Sequence, residues 1–332
     1  MQIHGLGARL GPRAAATLVA ALFVGLLLGP AAAQDYPTRP IRMLIGFAPG
    51  ASTDIFARVI ATELQQVLGQ PVVVESRSGA NGTIATAELV RSPPDGHTLM
   101  MAISSHVTNG LYYRSLPYDP VRDVTPIVEV ARAGWVLLAS NNFPANTIQE
   151  LITLARTRPG EIDYASAGES SPPHLFAVLL SQAAGIRMTH VPYRGSSQAI
   201  VDVVAGRVPL LFGTIALARE QIAGRQVKAL GIATLERSRI LPTVPTIAEQ
   251  GLPGFQADIW FGILGPPNMP APIVVRLETA ILEILRRPDI HRRFEEQDAD
   301  IVNGGHTAFR RTLEEEQRRW TRIFHDADLA RQ

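Results

Sequence analysis

The sequence contains no cysteine. Disulfides and lipid attachment through an N-terminal cysteine are therefore excluded, as is any cysteine-containing zinc site. Lysine is almost missing as well: among 31 lysines and arginines, Lys228 is the sole lysine. A phosphate-binding loop of the Gly-Lys-Ser/Thr type cannot be built from the glycine-rich segment at 46–54, which ends Ser52-Thr53-Asp54. Charge of one sign is lacking too. The formal net charge of +1 leaves no broad basic face for nucleic acid or anionic lipid. There is no G-x-S-x-G elbow, no G-x-G-x-x-G fingerprint and no His-x3-His pair, and His97, His106, His174 and His190 stand singly. These gaps argue against a serine hydrolase, a nucleotide enzyme and a metal centre, so no catalytic residue, metal ligand or cofactor is expected.

What is present is length and apolar content. At 332 residues, with 46% hydrophobic and 18% charged residues, the chain can bury two cores. Its first segment has a different character. Arg9 and Arg13 precede an uncharged run from Ala14 to Gly29, followed by Ala31-Ala32-Ala33. That order predicts a cleaved export signal over residues 1–33, since the run is short of the ~20 residues a membrane span needs. Cleavage takes Arg9 and Arg13 and no acid, so the mature charge becomes −1. An exported, disulfide-free soluble chain fits a bacterial periplasm.

Two later segments follow one plan. Ile41 to Gly46 reads as a strand, Phe47 to Asp54 as a loop rich in Gly, Ser and Thr, and the stretch to Leu68 as a helix. Ile162 to Ser166, Ala167 to Pro173 and His174 to Ala184 repeat that order. A helix opening under such a loop aims free N–H groups, hydroxyls and a positive helix end at one spot, which suits a small anion. The first helix carries Phe56, Ile60, Leu64 and Val67 on one face, with Thr53 or Asp54 as cap and Gly69 as stop. Further strands are expected at 72–75, 98–103, 135–139, 188–191, 208–212, 227–233 and 259–264, and helices at 83–91, 199–205, 273–287, 290–297 and 307–327.

Strands alternating with helices predict an α/β fold of two lobes, each a mostly parallel, doubly wound sheet, joined by two crossing strands. The expected division is 34–138 for the first part of lobe one, 139–254 for lobe two, and 255–332 for the return to lobe one and the C-terminal helices. Ligands of open α/β sheets bind outside the carboxyl ends of the strands, which gathers the loops at 47–54, 104–106, 166–174 and 193–196 around one site. Ser104, Ser105 and Ser171 enter the candidate site on this ground. Ser166, Ser170 and Ser171 near His174 can be drawn as a catalytic set, but hydroxyls in a loop before a helix are ordinarily caps and donors. A carboxylate, carrying one charge and satisfied by a few N–H and OH donors, suits the two loops better than a nucleotide.

The chain also resembles the Bug, or TctC-like, substrate-binding proteins of tripartite tricarboxylate transporters. The resemblance rests on Tyr36-Pro37-Thr38-Arg39-Pro40-Ile41-Arg42, Phe47-Ala48-Pro49-Gly50-Ala51-Ser52-Thr53-Asp54 and Leu68-Gly69-Gln70-Pro71. It continues through Pro94-Asp95-Gly96-His97-Thr98-Leu99, Leu116-Pro117-Tyr118-Asp119-Pro120, Tyr164-Ala165-Ser166-Ala167-Gly168, His190-Val191-Pro192-Tyr193-Arg194-Gly195, Leu241-Pro242-Thr243-Val244-Pro245-Thr246 and Trp260-Phe261-Gly262. It implies a periplasmic, hinge-closing receptor for a small organic acid. By matching position it implicates Phe47, Ala51, Ser52, Thr53 and Asp54 of the first loop, then Ser166, Ala167, Gly168 and His174, with Tyr193, Gly195 and Ser196 on the facing edge. Where many members carry Phe-Asp this chain has Phe212-Gly213-Thr214, which points to a ligand without an amine, aromatic or purely acidic.

The expected partner is thus a mono-, di- or tricarboxylate, with Phe47 and Tyr193 flanking its apolar part. Membrane permease subunits or a membrane sensor would follow, with no nucleic acid and a monomeric chain. An exported enzyme acting on such an acid, and an orphan receptor presenting its ligand to a sensor, are the alternatives.

Overall fold

The computed structural model describes residues 36–327 and residue 329, so the expected export signal lies outside the described residues. By contacts the chain divides at Thr38. Of the first unit only Tyr36, Pro37 and Thr38 are described, without helix or strand. All helices and strands described belong to the second unit, residues 39–332.

Two sheets organise that unit. The first uses β1 (Ile41–Ile45), β2 (Val72–Ser76), β3 (Thr98–Ile103), β4 (Thr125–Ala133), β10 (Ile259–Gly265) and β11 (Ala299–Gly305), in the order β11-β4-β10-β3-β1-β2. The second uses β5 (Trp135–Ser140), β6 (Asp163–Ser166), β7 (Thr189–Pro192), β8 (Leu210–Thr214) and β9 (Val227–Ile232), in the order β7-β6-β8-β5-β9. Helices α1 (Ser52–Leu68), α2 (Thr83–Val90), α3 (Ser105–Tyr112), α8 (Ala271–Leu285), α9 (Pro288–Glu295) and α10 (His306–Asp326) belong with the first sheet. Helices α4 (Ile148–Thr157), α5 (Pro172–Ala184), α6 (Ser196–Val204) and α7 (Ile215–Ala223) belong with the second. Among the described residues no helix is long and apolar enough to cross a membrane.

The α/β class and the two-lobe arrangement are as expected, but the sheets are mixed rather than mostly parallel. Only β2-β1-β3 and β7-β6-β8 are parallel. The strands adjoining the crossings pair antiparallel: β10 with β3 and β4, β11 with β4, and β5 with β8 and β9. The reason is topological. A chain entering a sheet from the neighbouring lobe, as β5 and β10 do, starts at the end where the other strands finish and must run against them; β11 reaches that same end from α9 and likewise runs against β4.

The same pairing fixes where the loops gather. Ile103, at the end of β3, faces Phe261 near the start of β10, and Ala133 at the end of β4 faces Ile259. In the other lobe Trp135, the first residue of β5, faces Thr214 at the end of β8, and Val136 faces Ile232 at the end of β9. The carboxyl ends of the parallel strands of both lobes therefore lie beside the crossing at Gly134. There the two crossing segments bond to each other, Ala233 N–H donating to Trp135 C=O at 2.7 Å, and the returning segment bonds to itself, Ala257 N–H donating to Ala233 C=O at 2.8 Å.

Each lobe has its own core. In the first, Leu44, Met100, Trp260, Phe309 and Leu313 are buried together, and Phe56 of α1 stacks on Phe294 at 4.3 Å between ring centroids. In the second, Val136, Leu138, Ala165, Ile200, Val203 and Leu211 form the centre. Helix α1 buries Phe56, Ile60 and Leu64 as the spacing requires, whereas Val67 is turned out and 41% exposed.

Candidate functional site

The first loop leaves β1 at Gly46, which lies so close to the turn at 79–82 that a Cβ there would meet the Gly82 Cα at 2.6 Å. Ser76 Oγ donates to the Phe47 carbonyl at 2.9 Å, and the Phe47 ring lies over Gly82. Helix α1 is capped two residues before Thr53 and three before Asp54, the expected caps. Its N-cap is Ala51, with no side-chain cap, so Ser52 and Thr53 present N–H groups for which the helix has no acceptor. Asp54 is buried and turned inward: its carboxylate accepts from Gly50 N–H at 2.9 Å and from Arg58 Nε at 2.8 Å. Burial works to raise this carboxyl, but the Arg58 and Gly50 bonds outweigh it and hold it below the usual range. Asp54 thus shapes the loop, and its charge is balanced by Arg58.

Ser104, the N-cap of α3, and Ser105, its first residue, are both buried. His106 faces the lobe interior, 2.6 Å from the Pro120 carbonyl and 3.4 Å from Thr86 Oγ1, and burial pushes its pKa down to about 4. One turn on, fully buried Asn109 exchanges amide bonds with Asn81, a residue held at φ +53° in the Gly79-Ala80-Asn81-Gly82 turn. Asn81 Nδ2 donates to Asn109 Oδ1 at 3.0 Å, and Asn109 Nδ2 to the Asn81 carbonyl at 2.9 Å.

The second loop is stitched to itself. Ser166 Oγ is 2.6 Å from His190 Nε2 and accepts from Gly168 N–H at 3.0 Å, while Ser171 Oγ donates to the Gly168 carbonyl at 2.6 Å. Gly168 sits at φ +109°, and a Cβ there would press on the Tyr193 carbonyl at 3.3 Å, so only glycine suits the position. Ala167 and Gly168 are half-buried. Helix α5 begins with Pro172 and Pro173, which carry no N–H, so this helix start offers fewer donors than its loop composition suggests.

Of the facing edge, Tyr193 packs against the second lobe's core and donates its hydroxyl to Asp202 at 2.7 Å. Through that bond it braces α6. Gly195 caps α6, and Ser196, half-buried, opens that helix.

The structure also joins residues that sequence reasoning kept apart. The His174 and His190 rings stack at 4.1 Å and 9°, with Tyr164 stacked on His190 at 5.1 Å. Glu169 lies 3.2 Å from His190 Nδ1 and 3.7 Å from His174 Nδ1. His174 is pushed down to about 3 by burial and then by His190. Burial also lowers His190, against the pull of Glu169. Glu169, His174 and His190 bring ligand-type atoms within 4.8 Å of one another. Parallel rings send their in-plane lone pairs side by side rather than to one point, and His174 Nδ1 already accepts from Ser170 N–H at 3.0 Å. The group therefore suits a hydrogen-bonded stack better than a cation.

Asn81 Nδ2 reaches the Ser170 carbonyl at 3.2 Å, so lobe one touches lobe two at the loops themselves. Asn81, Asn109 and Glu169 had no spacing signal; only the glycine-flanked Asn81 hinted at a left-handed turn.

The sequence model described as "Tripartite tricarboxylate transporter family receptor" matches residues 56–329. The Rhodopseudomonas palustris protein Rpa4515, solved with adipate, is 32% identical, with a TM-score of 0.81 over 90% of this chain and 100% of its own. The periplasmic binding protein BugD is 30% identical, with a TM-score of 0.79 over 90% of this chain and 100% of its own. MatC of Rhodopseudomonas palustris, solved with malate, is 31% identical, with a TM-score of 0.77 over 87% and 99%.

Proposed function

This chain belongs to the tripartite tricarboxylate transporter receptor family, and from that premise we propose that it captures a small organic carboxylate between its two lobes in the periplasm for uptake by a tripartite tricarboxylate-type permease. The observation that carries this reading is the meeting of two strand–loop–helix units at one crossing, one presenting Ser52 and Thr53 N–H groups and the other the loop at 166–171. Those N–H groups and the positive end of α1 bind one carboxylate. Phe47 and the half-buried Ala167 and Gly168 border the carbon chain. Ser166 and Ser171 act by holding the second loop in shape. Closure is favoured to the extent that the ligand touches both lobes. Adipate on one relative and malate on another support a dicarboxylate as the first compound to try.

One feature favours the enzyme alternative. Ser166, His190 and Glu169 stand in relay at 2.6 and 3.2 Å, the order of nucleophile, base and orienting acid. Against it, Ser166 is fully buried and its hydroxyl is engaged with Gly168.

The test is a thermal-shift screen of residues 34–332 against mono-, di-, tricarboxylic and aromatic acids, amino acids and sugars, followed by calorimetry. A saturable shift with one class of acid, and no turnover of it, is expected. Product formation, or indifference to every carboxylate, would overturn the reading.

A further inference from the structure

Ser170 is held from both lobes at once. It is fully buried in the left-handed region, at φ +59°. Its N–H donates to His174 Nδ1 at 3.0 Å within lobe two, and its carbonyl accepts from Asn81 of lobe one at 3.2 Å. Asn81 is fixed in turn by its exchange with Asn109. A serine held at positive φ persists only where its surroundings fix it, and here both fixings are hydrogen bonds of the same residue.

We propose that Ser170 is a proton-sensitive latch: neutral His174 holds it in the orientation that lets Asn81 clasp it, and protonation of His174 releases the lobes. The step is one of hydrogen-bond polarity. Nδ1 accepts from Ser170 only while its lone pair is free. A proton on Nδ1 sets donor against donor, and the Ser170 segment has to turn away. Its carbonyl then leaves Asn81, and Glu169, already 3.7 Å from Nδ1, takes up the new N–H.

The groups facing His174 come from every neighbouring element. They are His190 on β7, stacked at 4.1 Å, Tyr164 on β6 at 6.3 Å, and Glu169 on its own loop. From the other lobe, Tyr112 on α3 feels the Glu169 charge. Glu169 draws a proton first to His190, whose Nδ1 it approaches at 3.2 Å, and a charged His190 then opposes one on His174, so His174 gains its proton only as the loop opens. The closed arrangement disfavours protonated His174 through burial. An opened loop returns it towards an ordinary histidine value near ~6.5. Proton uptake and lobe closure then oppose each other reciprocally.

This latch rests on the two-lobe receptor reading, but it is tested without ligand. The chain has no cysteine, so cysteines introduced as Ile84→Cys on lobe one and Val201→Cys on lobe two take dyes specifically; both sites are more than half exposed. Single-molecule energy transfer on the mature chain then gives the closed fraction from pH 8 to pH 4. In that background the closed-to-open ratio is expected to fall below pH ~6.5, by at most about tenfold per pH unit for one proton. Asn81→Ala should lower the ratio at pH 8 and flatten its pH dependence. His174→Asn, whose Oδ1 stands in for Nδ1 and does not titrate, should remove that dependence. Persistence of the pH dependence in His174→Asn, an unchanged ratio in Asn81→Ala, or no closed population at any pH would each overturn the latch. Adipate, the first of the screened acids, bears separately on the receptor reading: indifference to it and to every other carboxylate would overturn that reading and leave the ligand-free ratios standing.

Discussion

At Gly46 the strand that carries the first loop and the turn that carries Asn81 nearly touch. Gly46→Ala places a methyl 2.6 Å from the Gly82 Cα, and neither partner is a side chain that can swing aside. The substitution should destabilise the protein by about 1–3 kcal/mol through overpacking, read as a lower urea midpoint at unchanged slope. An unchanged midpoint would mean that β1 and the turn separate freely. Residue identity was the least legible level in the sequence. The composition of the two loops told which segments meet, but not which way each side chain points. Asp54 turns to Arg58, Tyr193 to Asp202, and His106 to Pro120. Each of these bonds depends on a partner at least four residues away, and a loop motif read by itself has no access to it.

Among the elements, the two clearest strand–loop–helix units were legible because their helices bury residues at strict i, i+4 spacing, as Phe56, Ile60 and Leu64 do. Strands β4 and β11 and helices α3, α4 and α7 were not. In β4 the apolar run is broken by Glu129, and β11 runs through Asn303 at φ +52° with a register shift against β4. Glu129 explains its own presence once α10 is in place. It is buried, accepts from Arg132 Nε at 2.8 Å, and takes the Thr312 hydroxyl at 2.7 Å. Arg132 extends the tie to Asp258 at 3.2 Å, beside the return crossing. Glu129→Ala leaves Arg132 and Thr312 short of a partner and should cost about 3 kcal/mol, measured by chemical unfolding. A loss below about 1 kcal/mol would show that water replaces the carboxylate and that β4 and α10 are held by packing alone.

For the whole molecule, the two-lobe plan with two crossing strands could be read from the repeated order of elements, whereas the antiparallel pairings depend on where the returning chain enters and leave no local mark. Global stability should carry a signature of the buried histidines. His106, near 4, and His174, near 3, are both neutral in the folded state because burial opposes their charge. Unfolded, each titrates near ~6.5 and binds more protons than the native chain below that value. Stability is therefore full above pH ~6.5 and falls as the pH drops towards 4, by an amount on the order of a few kcal/mol. Asp298 and Glu316 push the other way, since burial raises both carboxyls and their protonation on acidification favours the folded state. The cleanest measurement is a difference. His106→Asn keeps an amide donor beside the Pro120 carbonyl and removes one titrating group, leaving the carboxylates as they are. Between pH 6.5 and 4 the variant should lose less of its unfolding free energy than the parent, so the two curves converge as the pH falls. Parallel curves would mean that His106 is not kept neutral by the fold, and that the acid sensitivity arises elsewhere.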